Sequence, residues 1–298
     1  MLYDFGVPQK ALHLHKDEDL KTPKHQGRSY MIMEKFDGWF MYVDCINGKW
    51  QGIRSKTGRV LPSMGHYSRV MEGLKAPKID IRLIFEAVIP FKHGPRGYME
   101  FKDCNGKFNQ TNHELQNVIL KCHDLLLPKN LPFHRRYAKL EQCLKNWDAK
   151  FMHFVPVLHT SKDKDEWIHF YNHVLDKDGE GVILKCPNAV YSPKKRNADI
   201  LKIKREITID ALVVGITEGK PGGKYVRTLG TLVVKTKNGA LNNVSGMTDT
   251  QRIKWFNNPE AIVGKVVECT AMKILADGRL REGRFKAERF DKTEKDID

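Results

Sequence analysis

The sequence predicts an α+β domain built on antiparallel sheets, over residues 1–205, followed by a small all-β domain over residues 206–298. Three observations predict it. Strand-like and helix-like stretches alternate to about residue 204, the mark of a mixed layered domain. The character then changes to short β-rich runs separated by Gly/Pro-rich or polar turns. A chain of 298 residues with 41% hydrophobic content can also bury two cores.

Residues 30–91 read as strands, with turns at Asn47-Gly48, Thr57-Gly58 and Pro62. Asp80–Pro90 is β-rich, with Glu86 embedded among Ile84, Phe85, Val88 and Ile89. Residues 112–127 and 135–147 read as helices, and Leu140, Leu144 and Trp147 recur at helical spacing in the second. Val155–Leu158 is a short strand, Lys164–Leu175 a helix, and Glu180–Lys185 and Asp199–Lys204 are strands. The boundary falls near Arg205. Beyond it, Ile207–Ile216, Thr228–Lys235 and Lys265–Met272 read as strands. With one helical piece they suit a small β-barrel such as an OB-fold. No internal repeat or low-complexity segment interrupts either region.

Fifty-one Lys and Arg stand against 36 Asp and Glu, a formal charge of +15. The excess recurs in every region, which favours a polyanionic partner such as nucleic acid. The basic turn Lys220–Arg227 could track a phosphate backbone, or be a solvated hairpin tip. The six cysteines show no Cys-x-x-Cys spacing, so no zinc site is signalled and free thiols in a reducing compartment fit. No N-terminal apolar run reads as a secretory signal, and no stretch approaches the ~20 apolar residues of a membrane span. A soluble cytoplasmic protein is expected.

The tetrad Lys35-Phe36-Asp37-Gly38 sits inside the apolar run Tyr30–Val43. Shielding there would disfavour the ammonium form, lower the pKa and make Lys35 a nucleophile. Asp37 would share a strand face with Lys35 if the strand continues, and Gly38 would permit a turn or a close backbone approach. Alone, the tetrad better suits a surface lysine before an Asp-Gly hairpin turn. Arg54, in Arg54-Ser55-Lys56-Thr57-Gly58, is suited to bidentate phosphate contact. Glu86 needs a metal, a cation or a sugar hydroxyl if its strand is buried. In Asp178-Gly179-Glu180-Gly181-Val182-Ile183-Leu184-Lys185, two glycines bracket Glu180 and would let backbone approach a ligand. A carboxylate at such a strand end can hold Mg²⁺. Leu201-Lys202-Ile203-Lys204 alternates, so both lysines share the face opposite the core. They suit a phosphate and would lower the pKa of a nearby lysine.

Lys-x-Asp-Gly, Arg54, Glu86, Glu-Gly-Val-Ile-Leu-Lys, Leu-Lys-Ile-Lys and the final Arg289-x-Asp291-Lys292 occur in that order. The chain resembles the covalent nucleotidyltransferases, and among them the small ATP-dependent DNA ligases of viral or phage type, over residues 30–292. The resemblance implies a nucleotidyltransferase domain followed by an OB-fold domain. It implies that Lys35 attacks the α-phosphate of ATP and carries AMP, with Asp37 catalytic beside it. Glu34, Arg54, Glu86 and His123 would bind the nucleotide, His123 where the family has an aromatic that stacks on adenine. Glu86 and Glu180 would hold Mg²⁺ or Mn²⁺, and Lys202 and Lys204 the α-phosphate. Arg281, Arg289, Asp291 and Lys292 would orient pyrophosphate, the C-terminal domain closing over ATP before turning to DNA. The implied partner is nicked duplex DNA, bound by a monomer in the cytoplasm, or in host-cell cytoplasm for a viral enzyme, in replication, repair or recombination.

Three positions depart from the family pattern. Phe40 replaces an arginine, His123 replaces Phe or Tyr, and Gly283 replaces a proline. An RNA ligase shares the first five motifs but not the last. An mRNA capping guanylyltransferase would carry Asp-Gly where Glu180-Gly181 stands. A non-catalytic OB-type binding protein would explain the charge but not Lys35, Glu86 and Glu180 together.

Overall fold

Successive side chains of Tyr30–Lys35 and Trp39–Ile46 point to opposite faces, one set to a core and the other to an inner cleft. That two-faced use of strands organises residues 1–204. The structure, a computed structural model, describes residues 5–14 and 27–298. The chain divides into two units, Met1–Lys204 and Arg205–Asp298.

Unit 1 holds two sheets. The first orders its strands β1 (Lys10–His13), β11 (Arg196–Lys204), β10 (Gly181–Lys185), β2 (Tyr30–Lys35) and β9 (Val157–Ser161). The second runs β4 (Lys49–Trp50), β3 (Trp39–Ile46), β6 (Ile81–Val88), β7 (Ile119–Leu126) and β8 (Met152–Phe154), with β5 (Arg54–Ser55) on β3. Pairing is antiparallel except at β1–β11 and β7–β8, so the sheets are mixed rather than purely antiparallel.

Each sheet turns one face to helices. On the first, Tyr30, Ile32, Val182, Leu184, Leu201 and Ile203 pack with Trp167 and Tyr171 of α4 (Lys164–Leu175). Asp163 caps α4 by accepting from Asp165 N at 2.9 Å, and Asp165 and Glu166 complement the helix dipole. On the second, Met41, Val43, Leu83, Phe85, Leu120 and Cys122 pack against α1 (Gly65–Glu72), α2 (Phe101–Asn109) and α3 (Phe133–Trp147). The other two faces look at each other across the cleft.

The sequence reading of 112–127 as a helix is corrected: Ile119–Leu126 is the strand β7. Its Leu-rich run fits either period, but Leu120, Cys122 and Asp124 are buried at period two. β1, α1 and α2 were not anticipated; each is short and lacks a strong periodic signal. Lys35 ends β2, so Asp37 does not continue that strand. Its Oδ2 instead accepts from the backbone of Phe101, the first residue of α2, at 3.2 Å.

Unit 2 is a five-stranded antiparallel sheet in the order β14 (Leu241–Val244), β13 (Leu229–Lys235), β12 (Ile207–Glu218), β15 (Val266–Ala271), β18 (Arg284–Glu288). A two-stranded ribbon joins β16 (Lys273–Ile274) to β17 (Leu280–Arg281). α5 (Asp249–Asn257) begins in a capping box between Thr248 and Gln251 and buries Trp255 against Phe285. Among the described residues no helix is long and apolar enough to cross a membrane, and all six cysteines are free.

Candidate active site

The inward faces of unit 1 enclose a cavity of about 240 Å³. From the first sheet, Met33 and Lys35 of β2, Ile183 and Lys185 of β10 and Lys202 of β11 reach it; from the second, Phe40, Ile84, Glu86 and His123 do. The register makes this a two-dimensional grid: Lys35, Gly181 and Lys204 form one row, and Met33, Ile183 and Lys202 the next. On the facing sheet, Phe40, Glu86 and Lys121 are cross-strand partners. Lys10, Lys56 and Arg196 line the mouth. Six cationic lining residues against Glu34, Glu86 and Asp124 leave the cavity positive, which suits a polyanion.

Lys35 donates a short hydrogen bond to Glu180 Oε2. Lys35 was expected to have a lowered pKa; the structure reverses this. Burial does work to lower it, but Glu180, Glu86 and Asp37 outweigh burial and hold Lys35 above the ordinary lysine value. The resting nucleophile candidate is an ammonium.

Glu86 Oε2 is buried and has no hydrogen-bond partner among the described residues. Burial first, and Glu180 after it, push Glu86 up to about 7 against the opposing pull of Lys35 and Lys56. An orphaned carboxylate oxygen beside Glu180 and Lys35 fits a divalent cation. No three His, Cys, Asp or Glu side chains converge as a cage among the described residues. Magnesium suits that donor set, because it commonly takes one or two carboxylates and completes its shell with phosphate and water.

The two glycines around Glu180 serve protein rather than ligand. A Cβ on Gly181, whose φ is +147°, would lie 2.1 Å from Ile203 O, and one on Gly179 would lie 2.8 Å from Val174 O. Gly38 likewise brings backbone against Ala87 O, where a Cβ would sit at 2.7 Å.

Not every expected residue meets the cavity. Arg54 Nη1 donates to Gly58 O at 2.9 Å; β5 ends at Ser55 in a tight turn, and Lys56 reaches the cavity mouth instead. Glu34 does line the cavity, but its carboxylate is held in a two-point ion pair with Arg96, at 3.1 and 2.8 Å. Lys204 shares the face of Lys202 but pairs with Gly181, outside the cavity wall. Phe40, where the resemblance has an arginine, lies under Lys56 Nζ at 5.3 Å.

Sequence reasoning missed the support of His123. Lys185 Nζ lies 3.1 Å from His123 Nδ1, 3.0 Å from His123 O and 3.5 Å from Asp124 Oδ2. Asp124 in turn accepts from Arg136 Nε and Nη2 at 2.9 and 3.1 Å. Lys185 was legible by period, since Gly181, Ile183 and Lys185 share one strand face. Burial, then Arg136, push Lys185 down to about 8 although Asp124 opposes them. Burial and then Lys185 push His123 down to about 3.

In unit 2, two of the four expected residues gather on one carboxylate, and a third joins them through Arg289. Buried Asp210 of β12 accepts from Arg289 Nη1 at 3.2 Å and from Lys292. Arg289 also grips Asp291 with Nε and Nη2, at 2.9 and 2.8 Å. Arg281 stands apart, on the β16–β17 ribbon. Asp210 was missed; its signal is a lone carboxylate between Ile209 and Ala211 in an apolar strand.

Residues 17–204 match a family described as ATP dependent DNA ligase domain. The chain is 29% identical to a DNA ligase of Haemophilus influenzae over 154 residues, 52% of this chain and 54% of that one. It is 31% identical to a DNA ligase of Methanococcus aeolicus over 206 residues, 60% of this chain and 35% of that one. It thus spans about half the length of the first relative and about a third of the second. Among solved structures, a Lig E DNA ligase superposes with a TM-score of 0.68 at 19% identity, covering 96% of this chain and all of that one. The bacteriophage T7 ATP-dependent DNA ligase in complex with ATP gives a TM-score of 0.53 at 15% identity, over 95% and 98% of the two chains. At these identities the structural likeness speaks for the fold.

Proposed function

The chain belongs to the ATP-dependent DNA ligase domain family, and from that premise we propose that it seals 3′-OH/5′-phosphate nicks in duplex DNA through an AMP carried on Lys35. The observation that carries this reading is Lys35 in a positive cavity that it shares with the unpaired oxygen of Glu86, its amine hydrogen-bonded to Glu180.

Three in-line displacements at phosphorus follow. The Lys35 amine displaces pyrophosphate from ATP, and its excess proton is lost to solvent. The 5′-phosphate of the nick then takes AMP from Lys35, and the 3′-OH finally displaces AMP. Each step requires charge stabilisation on equatorial oxygens and alignment of attacker and leaving group. Lys202 supplies positive charge in the cavity, with Lys204 on the same face. Lys56 takes the place first given to Arg54. Glu86 and Glu180 would hold Mg²⁺, which would neutralise phosphate charge. Because both carboxylates hold Lys35 protonated, engaging them with a cation also frees its amine. Asp37 acts by anchoring α2 beside the nucleophile, and Glu34 by its pair with Arg96.

Unit 2 is read as an OB-fold domain, on the five-stranded antiparallel sheet with one helix. Arg289, Asp291 and Lys292 act on pyrophosphate in the first step, held ready by Asp210. Deleting residues 205–298 should therefore abolish self-adenylylation from ATP. The enzyme is read as a monomer working on nicked duplex DNA.

The deciding experiment incubates wild type and Lys35→Ala with Mg²⁺ and ATP or GTP radiolabelled at the α-phosphate, then adds a nicked duplex. Label from ATP alone, lost in the variant and discharged as the nick closes, supports the reading. Label from GTP would move the protein to the capping enzymes. Discharge only on nicked RNA would make it an RNA ligase. No label would leave a nucleic-acid-binding protein.

A further inference from the structure

His123 is the extra residue of a β-bulge. Along β6 and β7, Glu86 pairs with Lys121 and Phe85 with Cys122, but Ile84 pairs with Asp124, so His123 has no cross-strand partner. Alternation from Lys121 already faces His123 to the cavity, and the bulge brings Asp124 to the same side behind it.

The ring's chemistry is fixed from behind. An ammonium has only donors, so the contact from Lys185 Nζ at 3.1 Å requires a lone pair on His123 Nδ1. The remaining proton must then sit on Nε2, and the imidazole is neutral. Lys185 is itself immobilised by His123 O and Asp124, and its ammonium lies 4.6 Å from the Phe133 ring. Nε2 has no protein partner among the described residues. Phe40, whose ring centroid lies 6.2 Å from that of His123, contributes apolar cavity wall together with Ile84 and Ile183. Apolar wall beside a polar ring edge suits a nucleobase.

We propose that His123 Nε2–H is a fixed donor to an unprotonated ring nitrogen of the bound adenine, so that this residue reads the base by hydrogen bonding. The inference rests on the ATP reading above. A hydrocarbon ring at the same position would offer only a surface; the imidazole held by Lys185 gives this chain a directional contact.

The test measures self-adenylylation KM for ATP and for 1-deaza-, 3-deaza- and 7-deaza-ATP, in wild type and His123→Phe. One analogue should bind about tenfold more weakly than ATP to wild type, the loss expected when a buried donor goes unmatched. That same analogue and ATP should then be equivalent for His123→Phe. Histidine ¹⁵N NMR of wild type, with His123→Phe for assignment, should find the proton on Nε2, and Lys185→Met should release that preference. Equal KM for all four nucleotides in wild type would overturn the proposal. So would a penalty that persists in His123→Phe, or a proton on Nδ1. If ATP labels no form of the protein, the ATP reading itself fails and takes this proposal with it; normal labelling with equal KM values removes this proposal alone.

Discussion

Replacing Asp124 with alanine should destabilise unit 1 by about 3–5 kcal/mol. Asp124 is 1% exposed, and the cations it balances, Arg136 and Lys185, are 3% and 5% exposed. The two cations do not suffer equally. Lys185, already pushed down to about 8 with its partner present, can shed its proton when Asp124 is removed. Arg136 cannot deprotonate. It keeps hydrogen bonds to Leu131 O and Ala189 O, at 2.6 and 3.4 Å, but no counter-charge. The loss is therefore that of one buried, unbalanced guanidinium, in the range measured when one partner of a buried pair is deleted. At roughly 2 kcal/mol per molar urea, the midpoint should fall by roughly 2 M. Urea titration at neutral pH, followed by tryptophan fluorescence, reads it out; Trp39, Trp50, Trp147 and Trp167 all report from unit 1. The triple variant Asp124→Leu, Arg136→Met, Lys185→Met should recover most of the loss, because no charge is then stranded. A shift under about 0.5 M in the single variant, or a triple variant no better than the single, would refute the argument.

Glu86 gives a second prediction through linkage. Its folded pKa, about 7, lies above the ordinary carboxylate value. The folded state therefore binds more protons between these values, and stability falls as pH rises through that window. Glu86→Gln should raise the melting temperature at about pH 8 and leave it unchanged at about pH 4, while weakening Mn²⁺ binding by calorimetry; no gain at the higher pH would contradict the assignment. Lys35, held above the ordinary value, is neutral in fewer than about one molecule in a thousand at neutral pH, so the first half-reaction should accelerate about tenfold per pH unit at limiting Mg²⁺. A rate flat with pH would mean the amine is already free. Gly181→Ala should cost about 2 kcal/mol or more in a thermal or urea melt, through the clash with Ile203 O and a φ of +147°; an unchanged midpoint would show that β10 and β11 can part without cost. With a formal +15, nick sealing should fall steeply with salt toward about 0.3 M, and a flat response would count against charge-led DNA binding.

Among the strands that build the cavity, β11 was legible because its Leu201–Lys204 segment alternates strictly. Leu201 and Ile203 point to one core and Lys202 to the cleft, as the pattern of that segment requires. Residues 112–127 were not legible, because a Leu-rich strand between two neighbours looks like a buried helix until its partners are known. The charge state of Lys35 was read with the wrong sign. Shielding is visible in local sequence, but Glu180 arrives from 145 residues away. Arg54 and Lys56 are two residues apart, and only the turn at Ser55–Gly58 decides which reaches the cleft. Asp124, Arg136 and Asp210 were invisible for a related reason: a buried charge is recognised by its partner, and the partners are distant in sequence.

The edge strand β1 carries a consequence for synthesis. It pairs in parallel with β11, joining Lys10 to Arg196 and His13 to Lys202, and Gln9 reaches Tyr191, Ser192 and Asn197. Gln9, Lys10 and Ala11 also form part of the cavity wall. The earliest described segment thus finds its place only against the last strand of its unit. On the ribosome, at about 5–20 residues per second, the nascent chain lacks a nucleotide pocket until that strand has emerged. Closure over so long a span makes this one of the least local pairings of unit 1, and the cavity wall is complete only once the whole unit has been synthesised.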